Sequence, residues 1–391
     1  MTQAVSSAAA VRAGEGASPI GGRLIATYTV THGLAEFFTA LTLFSLLGLG
    51  RITGLQIAVY SVIAFGCPIL IALAMQSWKA MPEGTVGLAG SVLLATGLVL
   101  PQLGWAAVLL LGLGSATFHI AAGTATLKLP RRGLAVGVFE SSGAIGLAGG
   151  TVLGSGLWLR ATASVWVGVF AVVVIAGGFA VLRWGSVGTR RRDTGEAHTD
   201  GFGLPAQLTS EMVGCPRPRK PRCAIADATG WVPVMVLLAL AAMSLIRSIT
   251  AFSAPQPWKS TTAMVLCAAV MVMLGRAVGG IIADRWGIFW PALAGFIGVA
   301  LCWGLWPGAV WAGLVGAFCL ALPMAPVILA MVASLRRPSI SFGLAQLFQV
   351  PAALTAGFIM TQWGALAVLA CGAVLVLAMW PLDERKAHDS I

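Results

Sequence analysis

Apolar residues run through this chain in long blocks, interrupted by short turns and by one extended polar stretch. A helix of about 20 mostly apolar residues crosses the hydrocarbon of a bilayer. Twelve blocks meet that length, at 24–49, 55–78, 85–103, 105–127, 133–158, 162–183, 231–252, 262–283, 288–306, 308–333, 339–360 and 363–381. The breaks at 101–104 and 306–309 are the shortest; merging across them gives the alternative of ten or eleven spans. The polar stretch 184–230, rich in Gly, Pro, Arg, Asp and Thr, has the composition of a connector. The expected organisation is therefore an all-α integral membrane protein. A tail (1–23), a six-helix bundle (24–183), the linker (184–230), a second bundle (231–382) and a tail (383–391) follow in order.

Composition agrees. The 391 residues are 58% hydrophobic and 9% charged, with a mean hydropathy of +0.91. A soluble domain of this size could not hide so much apolar surface, so the bilayer is the expected solvent. The net charge of +11 would suggest a nucleic-acid partner only if it were gathered on one soluble face. With the N-terminus inside, twenty Lys and Arg residues fall on cytoplasmic segments, against Arg51, Arg160 and Lys259 outside and Arg247 within a span. That asymmetry predicts both termini and the linker in the cytoplasm, and no nucleic acid. Residues 1–23 lack the apolar core and cleavage pattern of a signal peptide, so the first span is expected to be retained. Cys67, Cys267, Cys302, Cys319 and Cys371 lie in or beside spans and read as small packing residues. Cys215 and Cys223 flank a Pro/Arg run in the linker and read as reduced thiols.

The two bundles repeat each other. Gly133-Leu134-Ala135 with Phe139-Glu140 recurs as Gly343-Leu344-Ala345 with Phe348-Gln349, and Trp78 corresponds to Trp286, at offsets of 208 to 210 residues. Parallel repeats of this kind place the substrate between the halves near the midplane. These residues resemble the major facilitator superfamily and, within it, the fosmidomycin-resistance branch of drug efflux transporters. The branch's first-helix His-x-x-x-Asp is similar to His32 through Glu36, and its G-x-G-S-x-x-F-H-P to Gly112 through His119, with Ile120 in place of proline. Its fifth-helix R-x-G-L-A and F-Q-x-G-G-N-x-G are similar to Arg131, Gly133-Leu134-Ala135, Phe139, Gly143 and Gly146. Glu140, Ser142 and Ala144 depart there from glutamine, glycine and asparagine. The superfamily's G-x-x-x-D-R-x-G appears as Gly280 through Gly287, while its counterpart after the second span, Ala-Met-Gln-Ser-Trp-Lys, lacks the acid. The resemblance implies the major facilitator fold and proton-coupled export of a small organic compound from a bacterial inner (plasma) membrane.

Ionisable groups at membrane depth are costly and therefore face the bundle interior. His32, Glu36, His119, Glu140 and Arg247 are the candidates for a substrate and proton pathway, with Asp284 and Arg285 as gate residues. His32 and Glu36 share one helix face at i and i+4, which suits either a local hydrogen bond or a protonation site. His119 suits a bond to a carbonyl across helices. Arg247 is either paired with Glu36 or reaching the outer interface, and Arg276 is expected to reach the cytoplasmic interface. Trp78, Trp105, Trp158, Trp184, Trp231, Trp258, Trp286, Trp303, Trp306 and Trp311 read as interfacial anchors. No phosphate-binding G-x-x-x-x-G-K-[ST] loop is present, so no cofactor is expected, and four histidines without paired spacing predict no metal. The partners expected are a small-molecule substrate, protons and lipid. An importer of a small nutrient is the alternative on the same fold; a membrane enzyme or sensor would need a ligand cluster or soluble domain that the sequence does not show. The charge asymmetry predicts that an impermeant thiol reagent applied to intact cells leaves Cys215 and Cys223 unlabelled; their rapid labelling would reverse the topology.

Overall fold

The computed structural model describes residues 19–77, 82–129, 131–155, 237–246, 261–350, 370–373 and 376. The span expected at 162–183, most of the one at 363–381, the linker, Arg247, Cys215 and Cys223 lie outside the described residues. Five helices come from the N-terminal half: α1 (Pro19–Gly48), α2 (Gly54–Ser77), α3 (Glu83–Val99), α4 (Trp105–Thr126) and α5 (Arg132–Ser155). Six come from the C-terminal half: α6 (Leu237–Ile246), α7 (Thr262–Trp286), α8 (Phe289–Leu305), α9 (Val310–Ala321), α10 (Met324–Leu335) and α11 (Pro338–Leu347). Among the described residues there is no strand, and six segments are long and apolar enough to cross a membrane. Val30, Leu55, Leu70, Leu238 and Leu301 are more than half exposed, as side chains facing acyl chains should be.

The span expected at 308–333 is one apolar segment, Val310–Leu335, kinked at Leu322–Pro323 between α9 and α10. Pro323 has no N–H to continue the helical ladder, and its ring crowds the preceding turn. It also fills the space left by Gly295 of α8, where a Cβ would come 2.6 Å from Pro323 Cγ. Trp303 corrects a second expectation. It is buried, not interfacial, and its indole Nε1 donates to the Gly313 carbonyl (3.3 Å), tying α8 to α9. Trp105, Trp286, Trp306 and Trp311 are half exposed near helix ends, where anchors belong.

Helix α5 holds the N-terminal half against its own partner and against the other half. On one face, a Cβ at Gly146, Gly150 or Gly154 would strike the carbonyls of Gly33, Phe37 and Leu41 of α1. Both sets are spaced by four, so two i±4 ridges meet with only backbone between them. Towards its other end, Gly133 and Gly137 lie against Gly280 and the Arg276 carbonyl of α7. The halves meet through α5 with α7 and through α2 with α11, where a Cβ on Gly343 would come 2.9 Å from Ile69 Cα. These two contacts exchange under the repeat, so the sequence offset is an approximate two-fold relation in space.

Adding even a methyl group at the α1–α5 crossing must push the helices apart. Gly150→Ala is expected to destabilise the protein by about 1–3 kcal/mol. Gly22→Ala, whose Cβ would meet nothing within 4 Å, should leave thermal unfolding in detergent unchanged or slightly raised. Equal melting of the two variants would contradict the packing.

Candidate functional site

The Gly112–His119 motif earns its small residues one by one. Within one turn of α4 and on different faces of it, Gly112 faces Ile63 of α2, and Gly114 lies so close to α3 that a Cβ would sit 2.6 Å from the Leu94 nitrogen. That proximity leaves Ser115 and His119, four residues apart on one face, pointing at α1. There the Ser115 hydroxyl donates to Glu36 Oε1 (3.4 Å), and His119 Nε2 lies 3.6 Å from the same oxygen. His119 Nε2 also meets His32 Nε2 at 2.7 Å, with the rings edge to face. His119 Nδ1 donates to the Ser115 carbonyl one turn back (2.9 Å), and His32 Nδ1 donates to the Phe139 carbonyl of α5 (2.7 Å).

His32 therefore does not close onto Glu36 within its own helix. Its ring stacks on Phe139 at 4.4 Å and occupies space that Gly143 leaves empty, since a Cβ there would be 2.5 Å from His32 Cε1. Gly143 of the fifth-helix motif thus admits a side chain from α1. The cross-helix partner of His119 is the His32 ring, and its carbonyl bond is made within α4. Both histidines are almost fully buried.

Glu140 belongs to a second cluster that crosses between the halves. Its side chain is 4% exposed. Gln346 of α11 donates to Glu140 Oε1 (3.0 Å) and accepts from Gln349 (2.6 Å). Arg276 of α7 donates through Nη1 to the Glu140 carbonyl (2.6 Å), and the same nitrogen lies 3.7 Å from Glu140 Oε2. Arg276 thus turns inward to a carboxylate instead of reaching the interface. Distance along the helix alone puts Arg276 within reach of the interface. Its direction is set by the glycine contact of α5 with α7, which no linear spacing reveals. The glutamine in the repeat position of Glu140, Gln349, lies in the same hydrogen-bonded chain. Arg247 is outside the described residues, and Ser115, Arg276 and Gln346 join the site unanticipated.

Two unequal contacts join the halves, one where α5 meets α7 and one where α2 meets α11. Asp284 of α7 accepts the backbone N–H groups of Gly133 and Leu134 (2.8 Å each), capping the first turn of α5 with a negative charge at its positive end. Arg285 lies over the ring of its neighbour Trp286, 5.9 Å from the centroid. An offset of 208 places Gln76 of α2 in the position of Asp284. Gln76 donates to the Ser339 hydroxyl (3.3 Å) and accepts from Arg337 (3.1 Å), both at the start of α11. Where the motif lost its acid, a neutral amide makes the contact.

No protein-family model matches the chain, and no curated protein matches it. Among solved structures it is similar to a variant of the E. coli fucose:proton symporter FucP, at 12% identity and a TM-score of 0.52, covering 93% of this chain and 98% of that one. FucP in the outward conformation is similar at 13% identity and a TM-score of 0.52, covering 93% of this chain and 98% of that chain. A double tryptophan mutant of XylE gives 15% identity and a TM-score of 0.58, with 93% and 96% covered. The chain has the major facilitator fold.

Removing a capping carboxylate costs about 0.5–2 kcal/mol, which is roughly a two- to thirty-fold change in a two-state population. Asp284→Ala should therefore shift spin-label distances between the exposed positions Arg132 and Ile281 towards longer values. Gln76→Ala should shift them less, and equal shifts would contradict the inequality of the two contacts.

Proposed function

We propose that the protein is a secondary active transporter of the bacterial inner membrane that exports a small organic compound in exchange for protons. In this reading the two halves rock about the site between them. The observation that carries it is Glu140, a buried carboxylate that accepts a hydrogen bond from Gln346 and lies against Arg276, both of the opposite half. Any movement that parts α5 from α7 and α11 must break those contacts.

Ionised, Glu140 accepts from Gln346 and neutralises Arg276; protonated, it gives up the charge interaction. Leaving one member of a buried pair uncompensated costs about 3–5 kcal/mol. A shift from 1:99 to 99:1 between two states takes about 5.5 kcal/mol, so this contact alone is of the size needed to bias the halves. Proton binding at Glu140 then loosens the tie across the halves, and proton loss restores it. His32, Glu36 and His119 line the wall of the N-terminal half along the route, Arg247 is assigned to its outer part, and Asp284 and Arg285 to the cytoplasmic gate. The resemblance of the His32–Glu36, Gly112–His119 and fifth-helix patterns to the fosmidomycin-resistance branch favours drug-like cargo and efflux. Fucose:proton symport by FucP supports proton coupling and makes uptake of a small nutrient the second reading.

Reconstituted protein separates these. With a pH gradient imposed on proteoliposomes, cargo movement against the proton flow supports exchange, and movement with it supports uptake. Glu140→Gln keeps the shape and the hydrogen bond from Gln346. It should abolish gradient-driven accumulation, by at least about tenfold, while cargo binding persists. An unchanged response to the gradient would leave Glu140 as packing and refute the coupling assigned to it.

A further inference from the structure

The tautomers of the two buried histidines are fixed by the backbone. A carbonyl oxygen only accepts, so His32 Nδ1 at 2.7 Å from the Phe139 carbonyl and His119 Nδ1 at 2.9 Å from the Ser115 carbonyl both carry hydrogen. A neutral imidazole has a single N–H. Both Nε2 atoms are then bare lone pairs, yet they face each other at 2.7 Å. Two lone pairs repel at that distance unless a proton or a metal ion lies between them. Glu36 Oε1 stands 3.6 Å from His119 Nε2, and the three donor atoms lie within 4.8 Å of one another. Spacing along the chain pairs His32 with Glu36, four residues apart on α1, and the fold adds His119 from α4.

We propose that His32 Nε2, His119 Nε2 and Glu36 Oε1 form a binding site for one divalent transition-metal ion. Two imidazoles and a carboxylate select the zinc, cobalt, nickel and copper class over magnesium and calcium, which take oxygen ligands. Metal-binding histidines usually donate their other ring nitrogen to a carbonyl or carboxylate, which fixes the ring and its tautomer, and both rings here do so. Metal–ligand bonds of about 2.0–2.2 Å in tetrahedral geometry put ligand atoms roughly 3.3 Å apart. The present separations of 2.7 and 3.6 Å lie on either side of that value, and the two rings must part by about 0.6 Å to reach it. Three protein ligands leave a fourth position open to water or to a donor group on a transported compound. The ionised Glu36 offsets one of the two charges, while Glu140 and Arg276 offset each other nearby. All three ligands belong to the N-terminal half, so the ion would ride with that half and would not clamp the two together.

The site is tested without transport, so its failure and that of the proton-exchange reading are separable. Full-length, tag-free protein is purified in detergent, its cysteines are alkylated, and it is titrated with Co²⁺. Visible ligand-field absorption should saturate at one Co²⁺ per chain. It should be lost in His32→Gln and His119→Gln and weakened by at least about tenfold in Glu36→Gln. Because buried histidine variants can fail to fold, X-ray absorption of the Zn²⁺-loaded wild type gives a second reading, and it should show two imidazoles with oxygen donors. The proposal is overturned by the absence of a saturable Co²⁺ band, by a band that survives His119→Gln, or by a zinc shell holding fewer than two imidazoles.

Discussion

Everything distinctive about this protein follows from having no water to satisfy a polar group in the middle of a bilayer. A buried donor or acceptor there must find its partner within the protein, and a side chain aimed between helices finds it on another helix. Helices can supply that partner only if their backbones come close, and glycine is what lets them. The stripe of Gly146, Gly150 and Gly154 brings α5 onto α1, and the site follows directly. It sets the Phe139 carbonyl against His32, which in turn fixes the ring that meets His119. Packing and chemistry are here one arrangement.

Two polar clusters result, and they differ in where their members come from. The histidines, Glu36 and Ser115 all belong to the N-terminal half and can move as a unit. Glu140 draws its partners from α7 and α11 and is divided whenever the halves part. One cluster is suited to holding a bound species through a conformational cycle, the other to sensing where the cycle stands. The same helix, α5, contributes to both through consecutive residues: Phe139 by its carbonyl to the first and Glu140 by its carboxylate to the second.

Most of the helix boundaries were legible because apolar block length is a direct requirement of the bilayer, and the paired halves were legible in the recurrence of Gly133 and Gly343. The kink at Pro323 was marked by its residue type, while the unbroken hydropathy on both sides correctly gave one span. Trp303 was misread because its polar handle suits an interface equally well as a buried carbonyl. The candidate acids and histidines could be named as ionisable groups at depth. Their partners could not, since the contact of His32 with His119 joins residues 87 apart and that of Arg276 with Glu140 joins residues 136 apart. Helix rotation and crossing set both, and a linear pattern carries neither.

The replacement of an acid by Gln76 has a further consequence. A duplicated architecture begins with two equal closures, one on each side of its axis, and equal closures yield together. Here one side is held by a carboxylate on a helix end and the other by an amide, so their responses to ionic strength are unequal. Added salt screens the first and scarcely touches the second. Such a molecule swings like a door latched on a single jamb, and its symmetry is kept in shape while being lost in mechanics.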